Sequence, residues 1–401
     1  MADSEALPQP ANRLRSLDGL RGVAALIVLV HHTFLLVPAF SATYRGGMPP
    51  AVGSGVWWIS YTPLKLLTAG GEAVIVFFVL SGLVLTLPVL RRRNFNWIGY
   101  YPQRVLRLAL PVLGSVLLAA VLILLIPQRP FQPAVTWLTS YSTPQPHLSQ
   151  FVAAANMFAH GAEAFHVNNP LWSLSWELAF SLALPVFILL AIVAKRWWIL
   201  ALVAATLLTA FGRWQGSEPW DFLPSFFVGS VMAVKFADLR RFVAVVNARR
   251  LRHVVWLTFT IIAALLLIAS WLTGPLSREY ALVTQLLNAL CPVAAGMIVL
   301  AAIGWRVFER VLTIRPLQFA GKISFSLYLT HVPVLIFTSY LLKGSSLFVT
   351  MAVGACLALT VGSAYYWLVE SRCHLLARRV GAFATERWNS YHEKREELML
   401  S

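Results

Sequence analysis

The sequence predicts an all-α polytopic membrane protein of about ten transmembrane helices, and three observations predict it. Hydrophobic residues make up 58% of the 401 residues and charged residues only 12%, where soluble domains carry about 25% charge. Apolar runs long enough to cross a ~30 Å hydrocarbon core recur along the whole chain. Most of the 32 lysines and arginines fall in alternate connections between those runs, as the positive-inside rule requires of cytoplasmic loops. The net charge of +16 is therefore a topological signal and gives no reason to expect a nucleic-acid partner. The 15 tryptophans suit interfacial belts. Cys291, Cys356 and Cys373 show no paired spacing, so neither a disulfide framework nor a zinc site is expected.

In chain order the runs are 17–38, 68–90, 104–127, 171–194, 197–212, 221–236, 253–272, 280–304, 317–342 and 347–370. The first is too long for the apolar region of a secretory signal peptide and is read as a retained helix. The second and third exceed the ~20 residues that a span needs. A Pro-rich outer loop, 128–170, separates the third from the fourth. The fifth and sixth are the shortest, and they are kept because losing one would break the alternation of charge. Lys343 divides the ninth from the tenth.

With both termini cytoplasmic, the inner connections hold Arg91, Arg92 and Arg93, then Lys195 and Arg196, then Arg249, Arg250 and Arg252, then Arg306, Arg310 and Arg315. The outer ones hold only Arg45, Lys65, Arg129, Arg213, Arg278 and Lys343. The chain divides into a cytoplasmic segment 1–16, a membrane domain 17–370 and a charged cytoplasmic tail 371–401, read as a solvated helix without a core. A multi-pass position in the inner (plasma) membrane follows.

Polar groups inside the apolar runs are the candidates for chemistry. In "LDGLRGVAALIVLVHH", residues 17–32, Arg21 and His32 are eleven residues apart. Eleven helical steps come to roughly 1100°, about 20° past three full turns, and about 16 Å along the axis. The two side chains share a stripe, with Asp18 one turn before Arg21. His31 points about 100° away. An arginine near a helix end commonly snorkels to head groups, but an intramembrane histidine on the same stripe marks a pathway or site.

Glu72 starts the second run on the outer side, and Ser81 lies deeper in it. Arg104 and Arg107 open the third, one helical turn apart; ordinary positive-inside bias also accounts for them. Glu177 is placed at the outer start of the fourth run, where the helix dipole favours a carboxylate as it does for Glu72. Ser324 and His331 enter the ninth. Glu370 ends the tenth, where pairing with Arg372 is an alternative to function. His147, His160 and His166 lack metal-ligand spacing, so no metal is expected. No phosphate-binding loop, nucleophile elbow, zinc-protease motif or dinucleotide fingerprint occurs.

Together "RLRSLDGLRGVAALIVLVHH", "FFVLSGLVL", "RVLRLALP", "LWSLSWELAFSLALP", "KISFSLYLTHVPV" and "WLVESR" resemble, in that order, the acyltransferase-3 family of integral membrane O-acyltransferases. The resemblance runs from about residue 13 to 375. It implies around ten helices and acylation of surface polysaccharides or small natural products from cytoplasmic acyl-CoA, with acetyl-CoA the expected co-substrate and no bound cofactor. The family's first-helix motif, a basic residue and a histidine, falls on Arg21 and His32, and the histidine is regarded as catalytic. Its arginine pair falls on Arg104 and Arg107, and its late glutamate on Glu370, where Ser371 and Arg372 replace the continuation many members have. The C-terminal esterase-like domain of some members is expected to be missing.

On this resemblance Arg21, Arg104 and Arg107 would hold the CoA phosphates, since guanidinium–phosphate pairs are strong and directional. His32 would act as general base on an acceptor hydroxyl, or form an acyl-histidine. Asp18, Glu72, Ser81, Glu177, Ser324 and His331 are candidates for supporting groups or for contacting the acceptor. The acceptor is read as a cell-surface or exported glycan; the alternatives are a small hydroxylated metabolite, such as a macrolide or glycolipid, or a transporter or flippase. The last lacks the paired broken helices of transporters. Beyond the acyl donor, the acceptor and the lipid bilayer, the sequence names no partner and no oligomeric state.

Overall fold

The computed structural model describes residues 15–47, 49–129, 136–158, 165–276 and 281–400. Residues 1–14 of the N-terminal segment, His160 and Arg278 lie outside the described residues. Among the described residues all regular structure is helical, as the hydrocarbon core demands of any chain that must satisfy its own backbone.

Helix α1 spans Arg15–Phe34. It is followed by α2 (Pro38–Tyr44), α3 (Gly55–Tyr61) and a 3-10 turn (Pro63–Thr68), then by α4 (Gly70–Arg91) and α5 (Trp97–Leu125). Short helices α6 (Thr136–Tyr141) and α7 (Leu148–Ala155) occupy the predicted outer loop. Next come α8 (Leu171–Leu182), α9 (Leu184–Val193), α10 (Trp198–Gln215), α11 (Glu218–Val234) and α12 (Phe236–Ala248). Helices α13 (Arg252–Leu267), α14 (Ala269–Leu272), α15 (Ala281–Ala289), α16 (Cys291–Gly304) and α17 (Arg306–Leu312) lead to α18 (Arg315–Leu341) and α19 (Leu347–Tyr365). A single π turn, Tyr366–Glu370, joins α19 to α20 (Ser371–Leu400).

Each predicted apolar run is largely helical over its described residues, but among the described residues seven stretches are long and apolar enough to cross a membrane, or up to eight if α11 and α12, bent by 72°, make one span. The difference from ten has local causes. Lys195 and Arg196 sit in a 3-10 turn, so α9 and α10 form one 32-residue stretch instead of ending two spans. Helix α13 has only 16 residues.

Helix α18 is the most enclosed span, with 78% of its apolar window buried, against 11% for the stretch containing α10. The bundle is therefore built around α18, with α1, α5 and α19 against it. The α1–α18 contact depends on glycine: a methyl group on Gly22 would strike the Leu317 carbonyl and the Gly321 backbone, and one on Gly321 would strike the Asp18 carbonyl. Small residues at such crossings let membrane helices approach backbone to backbone.

The tail is not the core-free helix expected from its charge. Helix α20 continues from α19 and lies along the start of α5, where Asn96 Nδ2 donates to Thr385 Oγ1 at 2.7 Å and Gly99 and Gly381 come into close contact. Two glycines allow that approach, and charge pattern alone does not reveal it.

Candidate active site

Cavities open at both ends of α1. The first, of about 710 Å³, lies at the Arg15 end and is lined by Asp18, Arg21, Ser81, Arg104, Arg107, Glu177, Ser324 and Glu370. Eight of the residues singled out in the sequence, from six segments of the chain, meet there. Arg104 and Arg107, one turn apart on α5, present the same face. Arg21 Nε is buried without a hydrogen-bond partner among the described residues. Ser324 Oγ donates to the Gly321 carbonyl at 2.9 Å.

Glu177 is not at the outer start of its helix. It lies about two turns into α8, and its Oε1 accepts from Arg104 Nη2 at 2.6 Å, while Arg104 Nε donates to Ser181 Oγ at 2.9 Å. The predicted run and the helix both begin at residue 171, so the misreading lay in taking a residue about two turns in for a helix start.

Glu370 does not take Arg372 as its partner. Two residues along a helix put a side chain on a different face. Instead Glu370 Oε2 accepts from Ser326 N–H at 3.1 Å and from Ser326 Oγ–H at 2.5 Å. Its Oε1 lies 3.6 Å from His374 Nε2, four residues on. The π turn that carries Glu370 is a form that recurs at functional sites.

An adjoining cavity of about 1590 Å³ shares Arg15, Asp18, Arg21 and Arg107 with the first and adds Arg91, Arg240 and Arg306. Its wall is apolar, from Leu83 and Leu87 of α4 to Met232 and Phe236 of α11 and α12.

The third cavity, about 860 Å³, lies at the far end of α1 and is lined by His31, His32, Trp137, Tyr141, His166, Asn169 and Tyr328. His32 Nδ1 is 2.9 Å from the Val28 carbonyl and 3.2 Å from His331 Nε2. His331 is fully buried. His31 is also buried, and its Nδ1 donates to the Thr68 carbonyl at 2.8 Å. The stripe predicted for Arg21 and His32 thus runs between two separate cavities. Phe77 packs against Tyr328 in the hydrophobic core beside the third cavity, with ring centroids 6.3 Å apart.

Pro333 seats the segment before α8 beside His32. A proline inside α18 has no N–H for the Leu329 carbonyl. Asn168 Nδ2 donates to that carbonyl at 2.8 Å and to Ser115 Oγ at 3.2 Å. The next residue, Asn169, lines the same cavity as His32.

Glu72 belongs to neither cavity. It accepts from Trp271 Nε1 at 2.7 Å, and Lys65 Nζ stands 3.7 Å from the centre of a Trp271 ring. Lys65 is buried outside the spanning segments, and burial pushes its pKa down to about 8. No three His, Cys, Asp or Glu residues among those described are grouped to hold a metal ion.

A sequence profile described as an acyltransferase domain matches residues 14–368, nearly the whole chain. The chain belongs to the acyltransferase-3 family. It is a membrane acyltransferase. It is also 27% identical over 403 residues to the acyltransferase MdmB of Streptomyces mycarofaciens, covering 93% of this chain and 95% of that protein. No solved structure matches it.

Several groups at these cavities of the acyltransferase carried no warning in the sequence. Asn168 and Asn169 precede "PLWSLSWELAF" at the end of the Pro-rich loop 128–170. His374 had a usable signal, its spacing of four from Glu370 on one helix face. Arg91, Arg240 and Arg306 were hidden by topology, because the positive-inside rule already accounts for them.

Proposed function

We propose that the acyltransferase moves an acyl group, expected to be acetyl, from cytoplasmic acyl-CoA to a hydroxyl of a cell-surface or exported glycan, with His32 as general base. The observation that carries this reading is the convergence of Arg21, Arg104 and Arg107 on one cavity at one end of α1, with His32 in another cavity about 16 Å along the same helix.

In this reading the Arg15 end of α1 is cytoplasmic, both termini lie on that side, an even number of spans threads the inner membrane and the cavity at His32 faces out. The CoA phosphates sit among Arg21 and Arg107, with Arg91, Arg240 and Arg306 extending the cationic surface for the nucleotide end. Guanidinium groups suit this because each offers a planar fork to phosphate oxygens. Arg104 is already committed to Glu177 and Ser181, so it shapes the cavity as much as it binds. The pantetheine arm passes along α1, and the packing around Phe77 and Tyr328 must yield to admit it.

The acceptor enters beside Trp137, Tyr141 and Tyr328, whose flat faces suit the C–H faces of sugar rings. Neutral His32 takes the hydroxyl proton, the oxygen attacks the thioester carbon, the C–S bond breaks and the proton leaves on the thiol. General-base assistance of this kind contributes about 10²–10⁴-fold.

The test has two parts. Purified protein in nanodiscs is titrated with CoA, and alanine at Arg21, Arg104 and Arg107 together should weaken binding; unchanged affinity ends the donor-site reading. O-acetyl content of surface glycans is then compared between cells carrying wild type and His32→Ala. A loss confined to a secreted small metabolite transfers the acceptor assignment to that class.

A further inference from the structure

We infer that His331 is a positioning residue that fixes the tautomer of His32 and so makes Nε2 the nitrogen that receives the acceptor's proton. This rests on the reading of His32 as the base. The argument is one of donors and acceptors. His331 Nδ1 lies 2.8 Å from the Tyr328 carbonyl and 3.0 Å from the Leu327 carbonyl. Carbonyl oxygens only accept, so Nδ1 of His331 carries the hydrogen, and in the neutral ring Nε2 carries the lone pair. That lone pair is 3.2 Å from His32 Nδ1. His32 Nδ1 also faces the Val28 carbonyl at 2.9 Å, a second acceptor. Its hydrogen is therefore shared between two acceptors, and the lone pair of neutral His32 is on Nε2. The shape of an imidazole aims Nε2 away from His331.

The pairing is built into the fold. Gly22 and Gly321 bring α1 and α18 into backbone contact, and His32 and His331 each follow their glycine by ten residues on roughly parallel helices. His331 is fully buried, so its ring has little freedom to turn. Its backbone bonds hold Nε2 in the accepting role.

The consequence appears in the reaction. When Nε2 takes the acceptor proton, the His32 ring becomes an imidazolium and its Nδ1–H bond to His331 becomes charge-assisted, hence stronger. The gain exists only while the ring is charged, and it therefore lowers the barrier without tightening the ground state. On departure of the thiolate the Nε2 proton moves to sulfur and His32 returns to neutral. His331 keeps its own Nδ1 proton throughout.

The experiment compares His331→Gln, His331→Phe and His331→Ala in nanodiscs. A glutamine amide oxygen can accept from His32 Nδ1–H near where the imidazole Nε2 lay; phenylalanine fills the space but cannot accept. Phe and Ala should each lower kcat by about tenfold or more, since losing the tautomer partner of a catalytic histidine is costly. Gln should recover most of that loss, and KM for acyl-CoA should stay within about twofold in all three. Nitrogen-15 spectra of labelled histidine should show His32 with a protonated Nδ1 and bare Nε2 in the wild type, and a mixture of tautomers in His331→Phe.

Equal kcat for Phe and wild type, or a protonated Nε2 on wild-type His32, would overturn the inference. Activity surviving in His32→Ala would instead end the general-base reading. The spectra read the tautomer independently of turnover, so the two failures are distinct.

Discussion

Gly22 and Gly321 touch backbone to backbone, and ten residues further along each helix His32 and His331 meet at 3.2 Å. The contact at one end of α1 sets the register at the other. Gly321→Val should therefore act at a distance. The added atoms would strike the Asp18 carbonyl, and overpacking of this kind costs about 1–3 kcal/mol. The expected result is a lower unfolding temperature in detergent together with lost turnover. Wild-type turnover in a folded Gly321→Val protein would show that the pair does not depend on this crossing.

The two adjacent histidines of α1 should separate cleanly. His32→Ala should abolish turnover and leave the protein folded. His31→Ala should cost stability, because it removes a buried 2.8 Å bond to the Thr68 carbonyl and leaves that oxygen only the Lys65 Nζ donor at 3.3 Å; one such bond is worth about 0.5–1.5 kcal/mol. Thermal unfolding and initial rates on the same preparations check both. If His31→Ala loses turnover at full stability, the roles are reversed.

Arg104 should behave unlike Arg21 and Arg107. Its buried pair with Glu177 at 2.6 Å means that Arg104→Ala strands a carboxylate, and breaking a buried pair from one side costs about 3–5 kcal/mol. The double variant Arg104→Ala with Glu177→Gln should recover part of the lost stability. Arg107→Ala and Arg21→Ala should mainly raise KM for acyl-CoA. Denaturation midpoints and donor titrations distinguish the cases.

Asn168→Ala removes the donor that Pro333 makes necessary. The Leu329 carbonyl would then be unpaired, and the loop beside His32 would lose its anchor. Hydrogen exchange should rise in residues 165–170, and KM for the acceptor should increase while donor binding holds. Unaltered exchange in that segment would show that other contacts hold the loop.

Lys65 carries a pH signature. Burial lowers its pKa from the ordinary 10.5 to about 8, so between those values the unfolded chain holds a proton that the folded protein lacks. Stability contributed at this site therefore rises as pH climbs from about 8 toward 10.5 and is lowest below 8. The stability difference between wild type and Lys65→Met should shift toward the wild type over that range. A flat difference would mean that the Trp271 ring and Glu72 keep Lys65 charged.

Arg104 and Arg107 were legible in the sequence because they lie one turn apart, and Arg21 because it shares a stripe with His32 on one helix; both spacings are local properties. Ser81, Glu177, Ser324 and Glu370 could be flagged as polar groups in apolar runs, but their partners could not. Glu370 binds Ser326 across 44 residues, and His32 meets His331 across 299. No periodicity encodes such pairs. Asn168 was invisible for a related reason: its role is created by a missing N–H in another helix.

The sequence by itself determined that this chain is a bundle of apolar helices with a charged face at one set of loops, that Arg21 and His32 share a stripe, and which family the motifs resemble. Those properties follow from composition, the 3.6-residue turn and the cost of charge in hydrocarbon. The tertiary structure decided that the arginines and histidines line separate cavities, that α20 packs on α5 and that Arg104 is paired before any ligand arrives. Helix crossings set these outcomes, and crossings depend on where glycines allow two backbones to touch, a fact about two distant segments that neither segment carries alone.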